Sequence, residues 1–258
     1  MNSNPNKSIY NEWYVPAQLE FAPKTPYDVR VLELRMGLLW EHCTGKDVLD
    51  LCCGSGTYLI NLLGRVKSIV GLDFSRKLIE AAAARIKSAT ACGAAGFVEA
   101  DARSLPFAEG SFDTVFSIAS LYYVPDVQLA IAETARVLRP GGVAILDLGN
   151  SRSLATLSGA LSHRLYGWAK PFTIPYEDIL DAISKAGLAI EQHHAFQILP
   201  LFGPRLVQLL LPFSTSLFKY PLGLMVRGRL LDSIISGAPL LRRIAFRHLF
   251  VLRKAQHG

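Results

Sequence analysis

Short apolar runs alternate along the chain with longer segments in which apolar residues recur at helical spacing. Apolar runs of about four to eight residues that stop at turn residues are typical of buried parallel strands, and recurrence at every third or fourth position is typical of amphipathic helices. The alternation predicts one α/β domain with additions. The predicted strands are 47–51, 68–73, 96–101, 112–118, 143–146, 188–196 and 245–252, and the predicted helices are 25–44, 58–63, 75–87, 125–138 and 176–186.

A glycine-rich turn follows the first predicted strand and organises the rest of the chain. Gly54 and Gly56 separate that strand from the next helical pattern, and such a turn exposes backbone N–H groups at the start of a helix. Because a Cβ atom at either glycine would block a ligand lying against the backbone, a nucleotide-like ligand is predicted here. Leu59 occupies the position of the third glycine of dinucleotide-binding turns, and Asp50 would face a pyrophosphate, so NAD(P) is not expected to bind.

The turn sequence LDLCCGSG at 49–56 closely resembles the first motif of class I S-adenosyl-L-methionine (SAM)-dependent methyltransferases, with Cys52 where that family usually has its first glycine. LPF at 105–107 and LRPGG at 138–142 resemble later features of the same family, in the family's order. The resemblance extends over roughly residues 45–150 and points to the small-molecule branch that includes ubiquinone- and menaquinone-biosynthesis-like enzymes. It implies SAM as the cofactor and a Rossmann-like, doubly wound sheet of seven mostly parallel strands whose last strand is antiparallel.

Acidic residues in or at the ends of the predicted strands suit the polar parts of that cofactor. Asp50 lies inside the first strand and suits an amino group. Asp73 lies 17 residues after Gly56, where a carboxylate on the neighbouring strand accepts both ribose hydroxyls; the alternative is a surface acid that caps the next helix. Phe74 follows directly and is predicted to stack on adenine.

Other cofactor contacts are implied by the family resemblance or by position at the sheet edge. The resemblance implies that Asp101 and Ala102 recognise the adenine edge. Ser117 reaches the carboxyl edge of the fourth strand, where open α/β sheets bind ligands. Tyr10 belongs to an aromatic segment, 9–14, which either packs on the domain or covers the cofactor, as the aromatic N-terminal helix of many small-molecule methyltransferases does. The predicted cofactor-binding residues are Tyr10, Asp50, Cys52, Gly54, Gly56, Asp73, Phe74, Asp101, Ala102 and Ser117.

The chemistry implied by SAM is an in-line methyl transfer, in which the protein holds a nucleophile against the methyl group and excludes water. A general base assists when the nucleophile is a hydroxyl, an amine or an acidic carbon. The candidate bases by placement are Tyr122, Tyr123 and His163, with Glu12, His193 and His194 considered beside them. The last two are neighbours in a predicted strand, so they point to opposite faces and cannot both serve one site.

Charge is distributed unevenly, and this gives the last quarter a separate predicted role. Residues 1–200 contain 18 Lys/Arg and 20 Asp/Glu, a net charge of −2, whereas residues 201–258 contain 9 Lys/Arg and one acid, Asp232, a net charge of +8. The segment 200–244 is also rich in leucine. It is predicted to form a helical lid that covers a lipophilic substrate, and this lid is predicted to touch a membrane reversibly. The alternative is a core extension with solvated arginines.

The predicted division is a helical flap at 1–44, a SAM-binding core at 45–199, a lid at 200–244 and a closing strand with a tail at 245–258.

Composition narrows the remaining classes of protein. The four cysteines have no C-x-x-C spacing, so reduced thiols in a cytoplasmic protein, without a metal site, are expected. The N-terminal residues show no basic-then-apolar signal pattern. No uncharged apolar run reaches the roughly 18 residues that a membrane helix requires. A cytoplasmic protein, peripheral at the membrane through its lid, is therefore the prediction.

Two alternative functions stay open at the level of the sequence. The chain could bind SAM without transferring a methyl group, or use it for a cyclisation. The basic last quarter suggests a nucleic-acid methyltransferase, but residues 118–121 read IASL where such enzymes carry Asp-Pro-Pro-Tyr or Asn-Pro-Pro-Tyr. The favoured prediction is methyl transfer to an oxygen, nitrogen or carbon of a small lipophilic molecule, without a nucleic-acid partner. No particular substrate or oligomeric state is predicted.

Overall fold

The computed structural model describes residues 4–11, 23, 25–88, 95–201, 204–210 and 216–256. Within these residues the main sheet has seven strands in the order β3-β2-β1-β4-β5-β9-β6, and β7 and β8 form a separate hairpin. The strands are β1 (Asp47–Leu51), β2 (Ser68–Asp73), β3 (Ala95–Glu99), β4 (Phe112–Ser117), β5 (Leu138–Gly149), β6 (Leu188–Phe196), β7 (Met225–Val226), β8 (Arg229–Leu230) and β9 (Arg247–Lys254). The predicted α/β class and the seven-stranded sheet are confirmed.

The directions of the strands also follow the prediction. The pairs β1–β2, β1–β4, β2–β3 and β4–β5 are parallel, whereas β9 is antiparallel to both of its neighbours, β5 and β6. The order of the strands reverses between β1 and β4, so the connections that follow these two strands leave the carboxyl edge of the sheet in opposite directions. Open α/β sheets bind ligands in the crevice that such a reversal creates.

Helices lie on both faces of the sheet. One buried cluster joins β1, β4 and β5 to the helices at 127–137 and 176–185, and a second joins the alternate residues of the same strands to the helix at 26–43. The helices are α1 (Lys7–Ile9), α2 (Pro26–Cys43), α3 (Arg76–Ser88), α4 (Val127–Val137), α5 (Leu154–Tyr166), α6 (Tyr176–Lys185), α7 (Arg205–Leu210), α8 (Lys219–Leu222), α9 (Leu231–Gly237) and α10 (Pro239–Arg242). In the part of the chain that the structure describes, no helix is long and apolar enough to cross a membrane.

The helix α2 begins at its predicted cap. Thr25 Oγ1 accepts a hydrogen bond from the backbone N–H of Asp28 at 3.2 Å, and Pro26 takes the first position, where a missing N–H costs nothing. The apolar spacing predicts a buried face of Val29, Leu32, Met36, Leu39, Trp40 and Cys43, but Val29 and Trp40 are exposed. The buried face instead includes a charged residue, an arginine at position 35, which apolar periodicity cannot place.

The segment after the glycine-rich turn is shorter than predicted. The helix expected at 58–63 is a 3-10 turn, Leu59–Asn61. Gly56 and Gly64 flank it with left-handed φ angles of 76° and 75°, which interrupt a regular α-helix on both sides. The site therefore faces a tight irregular turn and not the N-terminus of a long helix.

The helix α5 was not predicted from the apolar pattern. Ser153 caps it, since its Oγ accepts a hydrogen bond from the backbone N–H of Thr156 at 3.1 Å. Leu154, Leu157 and Leu165 are exposed, so the leucines of this helix do not form one buried face. A helix of this kind shows no strong period of apolar residues along the sequence.

The segment 200–244 packs on α2 and on β6, and its acid fastens it there. Asp232 is fully buried and accepts hydrogen bonds from Tyr27 Oη at 2.7 Å, from Ser236 Oγ at 3.0 Å and from the backbone N–H of Ile198 at 3.2 Å. These donors satisfy a buried carboxylate without a cation. The one acid of the segment is thus an anchor between the insertion, α2 and the end of β6.

Part of the predicted lid is ordinary core. Leu222 and Leu230 are buried with α2, and Lys219 forms an ion pair with Asp28 of that helix at 2.7 Å. These residues agree with the alternative in which the insertion extends the core. Other apolar residues of the segment are exposed and belong to the surface described below.

Candidate active site

A cavity of about 370 Å³ opens at the carboxyl edge of the sheet, where the strand order reverses. Its walls come from the turn after β1, the end of β2, the segment after β4 and the first residue of β9. The lining residues are Asn4, Tyr10, Arg35, Asp50, Cys52, Cys53, Gly54, Thr57, Tyr58, Asp73, Phe74, Leu78, Ile118, Ala119, Ser120, Tyr122, Tyr123, Val124 and Arg247. Most of the predicted site residues are therefore brought together in one place.

Asp73 holds the turns on both sides of it and also lines the cavity, and it is buried, unlike the surface acid weighed as the alternative. Its carboxylate is buried and accepts hydrogen bonds from the backbone N–H groups of Gly54 and Ser75, each at 3.0 Å. Two of its roughly four lone-pair positions are thereby used to hold the turn after β1 and to start α3. The others remain for a ligand in the cavity. Burial raises the pKa of Asp73 to about 6, although the backbone hydrogen bonds oppose this.

Asp50 presents an unsatisfied oxygen to the same cavity. Its side chain is buried, and Oδ2 has no hydrogen-bond partner among the described residues. Burial raises the pKa of Asp50 well above its usual value, and the nearby charge of Asp73 raises it further. A cationic amino group of a ligand would satisfy this oxygen and restore the charge of the carboxyl group.

The two glycines of the turn have different roles. Gly54 lines the cavity, but its N–H is used by Asp73 and does not point to a ligand. Gly56 lies outside the cavity wall, where a Cβ atom would come within 3.3 Å of Ala82 Cβ on α3. The reason predicted for Gly56 is therefore wrong: its missing side chain allows the turn to pack on a helix, not on a ligand.

Cys52 adopts the backbone conformation that the family's glycine would favour. Its φ angle is 61°, in the left-handed region that costs a residue with a Cβ atom about 1–2 kcal/mol. Cys52→Gly is expected to raise the free energy of unfolding by about 1 kcal/mol relative to Cys52→Ala, since both variants lose the thiol and only one relieves the strain. Urea denaturation followed by circular dichroism measures the difference. Equal stability of the two variants would show that the turn carries no strain at this residue.

Asp101 and Ala102, which were predicted to recognise the adenine edge, lie beside the main cavity. They line a small adjoining space of about 10 Å³ that Cys52 and Phe74 also border. Arg103 donates to Asp101 from Nη2 at 2.7 Å and from Nε at 3.0 Å. Burial alone would raise the pKa of Asp101, but the hydrogen bonds from Arg103 outweigh it and lower that pKa. Asp101 is thus already paired within the protein.

Aromatic side chains cover the cavity from the N-terminal segment. The Tyr10 ring is buried and meets Phe74 and Tyr123 edge-to-face, with centroids 5.4 and 6.0 Å apart. Asn6 fastens this segment, because its side chain exchanges two hydrogen bonds of 2.9 Å with the backbone of Lys170. The rest of the predicted aromatic flap, including Glu12, Trp13 and Tyr14, lies outside the described residues.

The candidate bases separate clearly. Tyr122 and Tyr123 line the cavity, and Tyr122 Oη accepts a hydrogen bond from Arg247 Nη2 at 2.6 Å. His163 does not line it; the residue is near the end of α5, with Nδ1 2.6 Å from the carbonyl oxygen of Trp168. Ser117, predicted at the sheet edge, is fully buried at the end of β4, and the residues that follow it reach the cavity instead.

His193 of β6 packs against His248 of β9, and neither His193 nor His194 lines the main cavity. His193 Nε2 lies 3.0 Å from His248 Nδ1, and the ring of His193 stacks on Phe250 with centroids 4.2 Å apart. Burial lowers the pKa of His193 to about 3 and that of His248 to about 4. Both rings are therefore neutral at physiological pH.

A buried ion cluster at the floor of the cavity was not predicted. Asp147 Oδ2, at the end of β5, accepts hydrogen bonds from Arg35 Nη2 at 2.6 Å and from Arg247 Nη1 at 2.8 Å. The signals were present in the sequence as isolated charges within apolar stretches. Charged residues are rarely buried unless they are paired, but the neighbouring sequence does not indicate which residue is the partner.

A second cavity of about 240 Å³ adjoins the first and shares Arg35 and Arg247 with it. Leu201 and Lys219 of the segment 200–244 line this second cavity. Among the described residues of that segment, none lines the main cavity. The insertion therefore borders the neighbouring space on the side of α2.

Comparisons with known proteins agree with this geometry. Residues 49–146 match a family model described as a methyltransferase domain. An uncharacterised methyltransferase of Synechocystis is 32% identical over 156 residues, which are 59% of this chain and 71% of that protein. The demethylmenaquinone methyltransferase of Lactococcus lactis is 40% identical over 111 residues, 42% of each chain. The 2-phytyl-1,4-naphtoquinone methyltransferase of Nostoc punctiforme is 38% identical over 117 residues, 43% of this chain and 51% of that one.

Solved structures share the fold over nearly the whole chain. The [4+2]-cyclase SpnF aligns with a TM-score of 0.65 at 17% identity, over 99% of this chain and 97% of that chain. A SAM-dependent methyltransferase from Mesorhizobium loti aligns with a TM-score of 0.58 at 19% identity, over 86% of this chain and 96% of that chain. The first curated relatives are matched over about half their length, between 42% and 51%.

The strand order, the reversed last strand and the acid-lined turn define the SAM-binding class of α/β proteins. The chain belongs to the SAM-dependent methyltransferase family, and SAM is its cofactor.

SAM affinity is expected to fall as the pH drops through about 6. Asp73 and Asp50 have raised pKa values in the free protein, and ribose hydroxyls or an amino group favour their ionised forms, so binding releases protons. Calorimetric titration of SAM in two buffers with different ionisation enthalpies measures this release. Adenosine, which lacks the α-amino group of the methionine part of SAM, is expected to release fewer protons. If the affinity for SAM stayed the same from about pH 5 to pH 8, the assignment of both acids to the cofactor site would be contradicted.

Proposed function

We propose that the chain transfers a methyl group from SAM to an oxygen, nitrogen or carbon of a small lipophilic molecule. The observation that carries the proposal is the composition of the main cavity. Buried carboxylates and a glycine-rich turn form one half, and tyrosines with Ile118 form the other. The relatives named for naphthoquinone and menaquinone methylation support an apolar ring as the acceptor.

The residues of the first half fit SAM by charge and shape. Bound SAM supplies a methyl group activated by its sulfonium. The unsatisfied oxygen of Asp50 suits the amino group of the cofactor, and the free lone pairs of Asp73 suit the ribose. Phe74, half-buried beside Tyr10, offers an aromatic edge to the adenine, with Asp101 and Ala102 proposed at its far side.

The residues of the second half position the acceptor and exclude water. Holding the two reactants in line lowers the activation barrier by about 7–11 kcal/mol, so no metal or covalent intermediate is required. Arg247 donates to Tyr122 Oη at 2.6 Å and so fixes this hydroxyl oxygen in the main cavity. Tyr122 is the proposed catalytic residue, which orients the nucleophile of the acceptor, and Tyr123 forms part of the wall beside it.

The test is transfer of a tritiated methyl group from SAM into a lipid extract of cells, with the products separated by chromatography. Wild-type protein is expected to label at least one apolar product, and Tyr122→Phe is expected to label it more slowly while binding SAM equally well. Tyr166→Phe, an exposed tyrosine at the end of α5, is the matched control. Tight SAM binding with no labelled product from any extract would favour a noncatalytic or cyclase-type role instead.

The exposed part of the insertion supports membrane contact as part of the same proposal. Leu209, Leu217 and Leu240 are 78%, 71% and 81% exposed. The tip of the β7–β8 hairpin adds exposed Arg227 and Arg229. Exposed apolar side chains and exposed arginines in one segment suit an anionic lipid surface. We propose that the segment 200–244 contacts a membrane reversibly and that the protein has no nucleic-acid partner. The other proposed parts of the chain are a flap, a SAM-binding core and a closing strand.

Co-sedimentation with lipid vesicles tests the membrane contact. Protein is expected to sediment with phosphatidylglycerol vesicles and less with phosphatidylcholine vesicles, because each basic residue near an anionic surface contributes about 1 kcal/mol. Arg227→Glu/Arg229→Glu is expected to abolish the preference. Arg76→Glu, an exposed arginine of α3, is the control for charge alone. Equal sedimentation of both variants with anionic vesicles would remove the hairpin from the proposal.

A further inference from the structure

Two buried arginines share one carboxylate between the two cavities. The side chains of Arg35 and Arg247 are only 7% and 13% exposed, and both donate to the fully buried Asp147 Oδ2. Two positive charges therefore pair with one negative charge, and both guanidinium groups are largely buried. Burying an uncompensated charge is unfavourable, so this arrangement favours a further anion.

The other contacts of the two guanidinium groups do not supply that anion. Arg35 Nη1 donates to Tyr58 Oη at 3.2 Å, and Arg247 Nε donates to Gln197 Oε1 at 3.0 Å. The remaining contact, to Tyr122, is also made to a phenol oxygen. Asp232, the one acid of the insertion, accepts hydrogen bonds from Tyr27, Ile198 and Ser236, and among the described residues it forms no ion pair with either arginine.

Unused hydrogen-bond donors point to the same place. Arg35 Nε and Gln197 Nε2 are buried, and neither has a partner in the part of the chain that the structure describes. Both residues line the second cavity. Because unsatisfied buried donors are unfavourable, a group that accepts several hydrogen bonds is expected between them. A carboxylate matches the planar fork of an arginine side chain.

The second cavity has room for an apolar body attached to that carboxylate. Its volume is about 240 Å³, and Val31, Leu32, Phe196 and Leu201 supply apolar walls. The ion pair of Lys219 with Asp28 at its rim is neutral as a unit. The cavity joins the main one at the two arginines, so a molecule bound there extends towards the methyl-transfer site.

We propose that Arg35 and Arg247 bind a carboxylate of the acceptor substrate, which is therefore an apolar acid whose hydrophobic body occupies the second cavity. This inference rests on the proposed methyl transfer to a small lipophilic molecule. The arginines are positioned to orient the acceptor; they hold its acidic end while another part of the molecule faces the methyl donor.

The test compares 2-naphthoate with 2-naphthamide, which has the same ring but no charge. Each is titrated calorimetrically at neutral pH into protein saturated with S-adenosylhomocysteine, which also has a carboxylate. Wild-type protein is expected to bind the acid at least roughly tenfold more tightly than the amide, since hydrogen bonds to a charged group are the stronger ones. Equal affinities would overturn the inference, and this comparison needs no variant.

Two variants locate the effect. Arg247→Gln is expected to reduce the preference for the acid to near unity, and Arg35→Gln to reduce it in part, while Arg243→Gln on the surface leaves it unchanged. S-adenosylhomocysteine affinity is expected to stay within about twofold of wild type in all three. If Arg247→Gln weakens the binding of S-adenosylhomocysteine as strongly as the binding of 2-naphthoate, the arginines hold the carboxylate of the donor. The inference is then overturned. Failure of S-adenosylhomocysteine to bind wild-type protein would instead contradict the proposed function itself.

Discussion

Asp147→Asn is expected to lower the free energy of unfolding by about 3–5 kcal/mol, because it leaves two buried guanidinium groups without their shared anion. The replacement keeps the shape of the side chain, so the loss reports charge and not packing. Asp147 Oδ2 also accepts the backbone N–H of Ala119 at 3.2 Å, which couples the cluster to the segment that follows β4. Urea denaturation measured by circular dichroism gives the difference.

The matched control is Asp181→Asn. That carboxylate pairs with Lys185 at 2.7 Å on the surface of α6, with both side chains more than half exposed. Such pairs contribute about 0–1 kcal/mol. A loss at Asp147 no larger than the loss at Asp181 would show that the buried arginines do not depend on this acid.

Asp73→Asn is expected to weaken SAM binding by roughly two orders of magnitude, since charged hydrogen bonds to the ribose contribute about 1.5–3 kcal/mol each. Asparagine is preferred to alanine because Asp73 also accepts two backbone N–H groups, and alanine would leave both without a partner. Calorimetric titration measures affinity, and thermal unfolding checks the fold. Asp101→Asn, whose carboxylate is held by Arg103, is expected to have a smaller effect. Wild-type affinity for SAM in Asp73→Asn would remove it from the cofactor site.

The residues proposed for the cofactor half of the site are brought together by short-range order. A strand, a turn and an acid at the end of the next strand are close in the chain, and parallel strands bring their carboxyl ends to one edge. Asp50, Gly54 and Asp73 therefore meet where the pattern places them. The detail that fails is Gly56, whose neighbour is a helix 26 residues further along the chain.

The acceptor half could not be predicted in the same way. Arg35, Asp147 and Arg247 are separated by 112 and 100 residues, and no local pattern indicates that they are in contact. His163 was proposed by placement alone, and the structure puts its ring beside the end of its own helix. Tyr122 lies in the cavity because a 3-10 turn, Leu121–Tyr123, forms shortly after the end of β4.

The position of β9 has a consequence for how the protein is made. This strand follows the other six strands of the main sheet in the chain, yet it lies between β5 and β6 and pairs with both. While residues 247–254 are still inside the ribosome, both of those strands have open edges that favour aggregation. Arg247, the first residue of β9, reaches Asp147 at the same time. Closure of the sheet and assembly of the pair between Arg247 and Asp147 therefore both wait for the synthesis of β9.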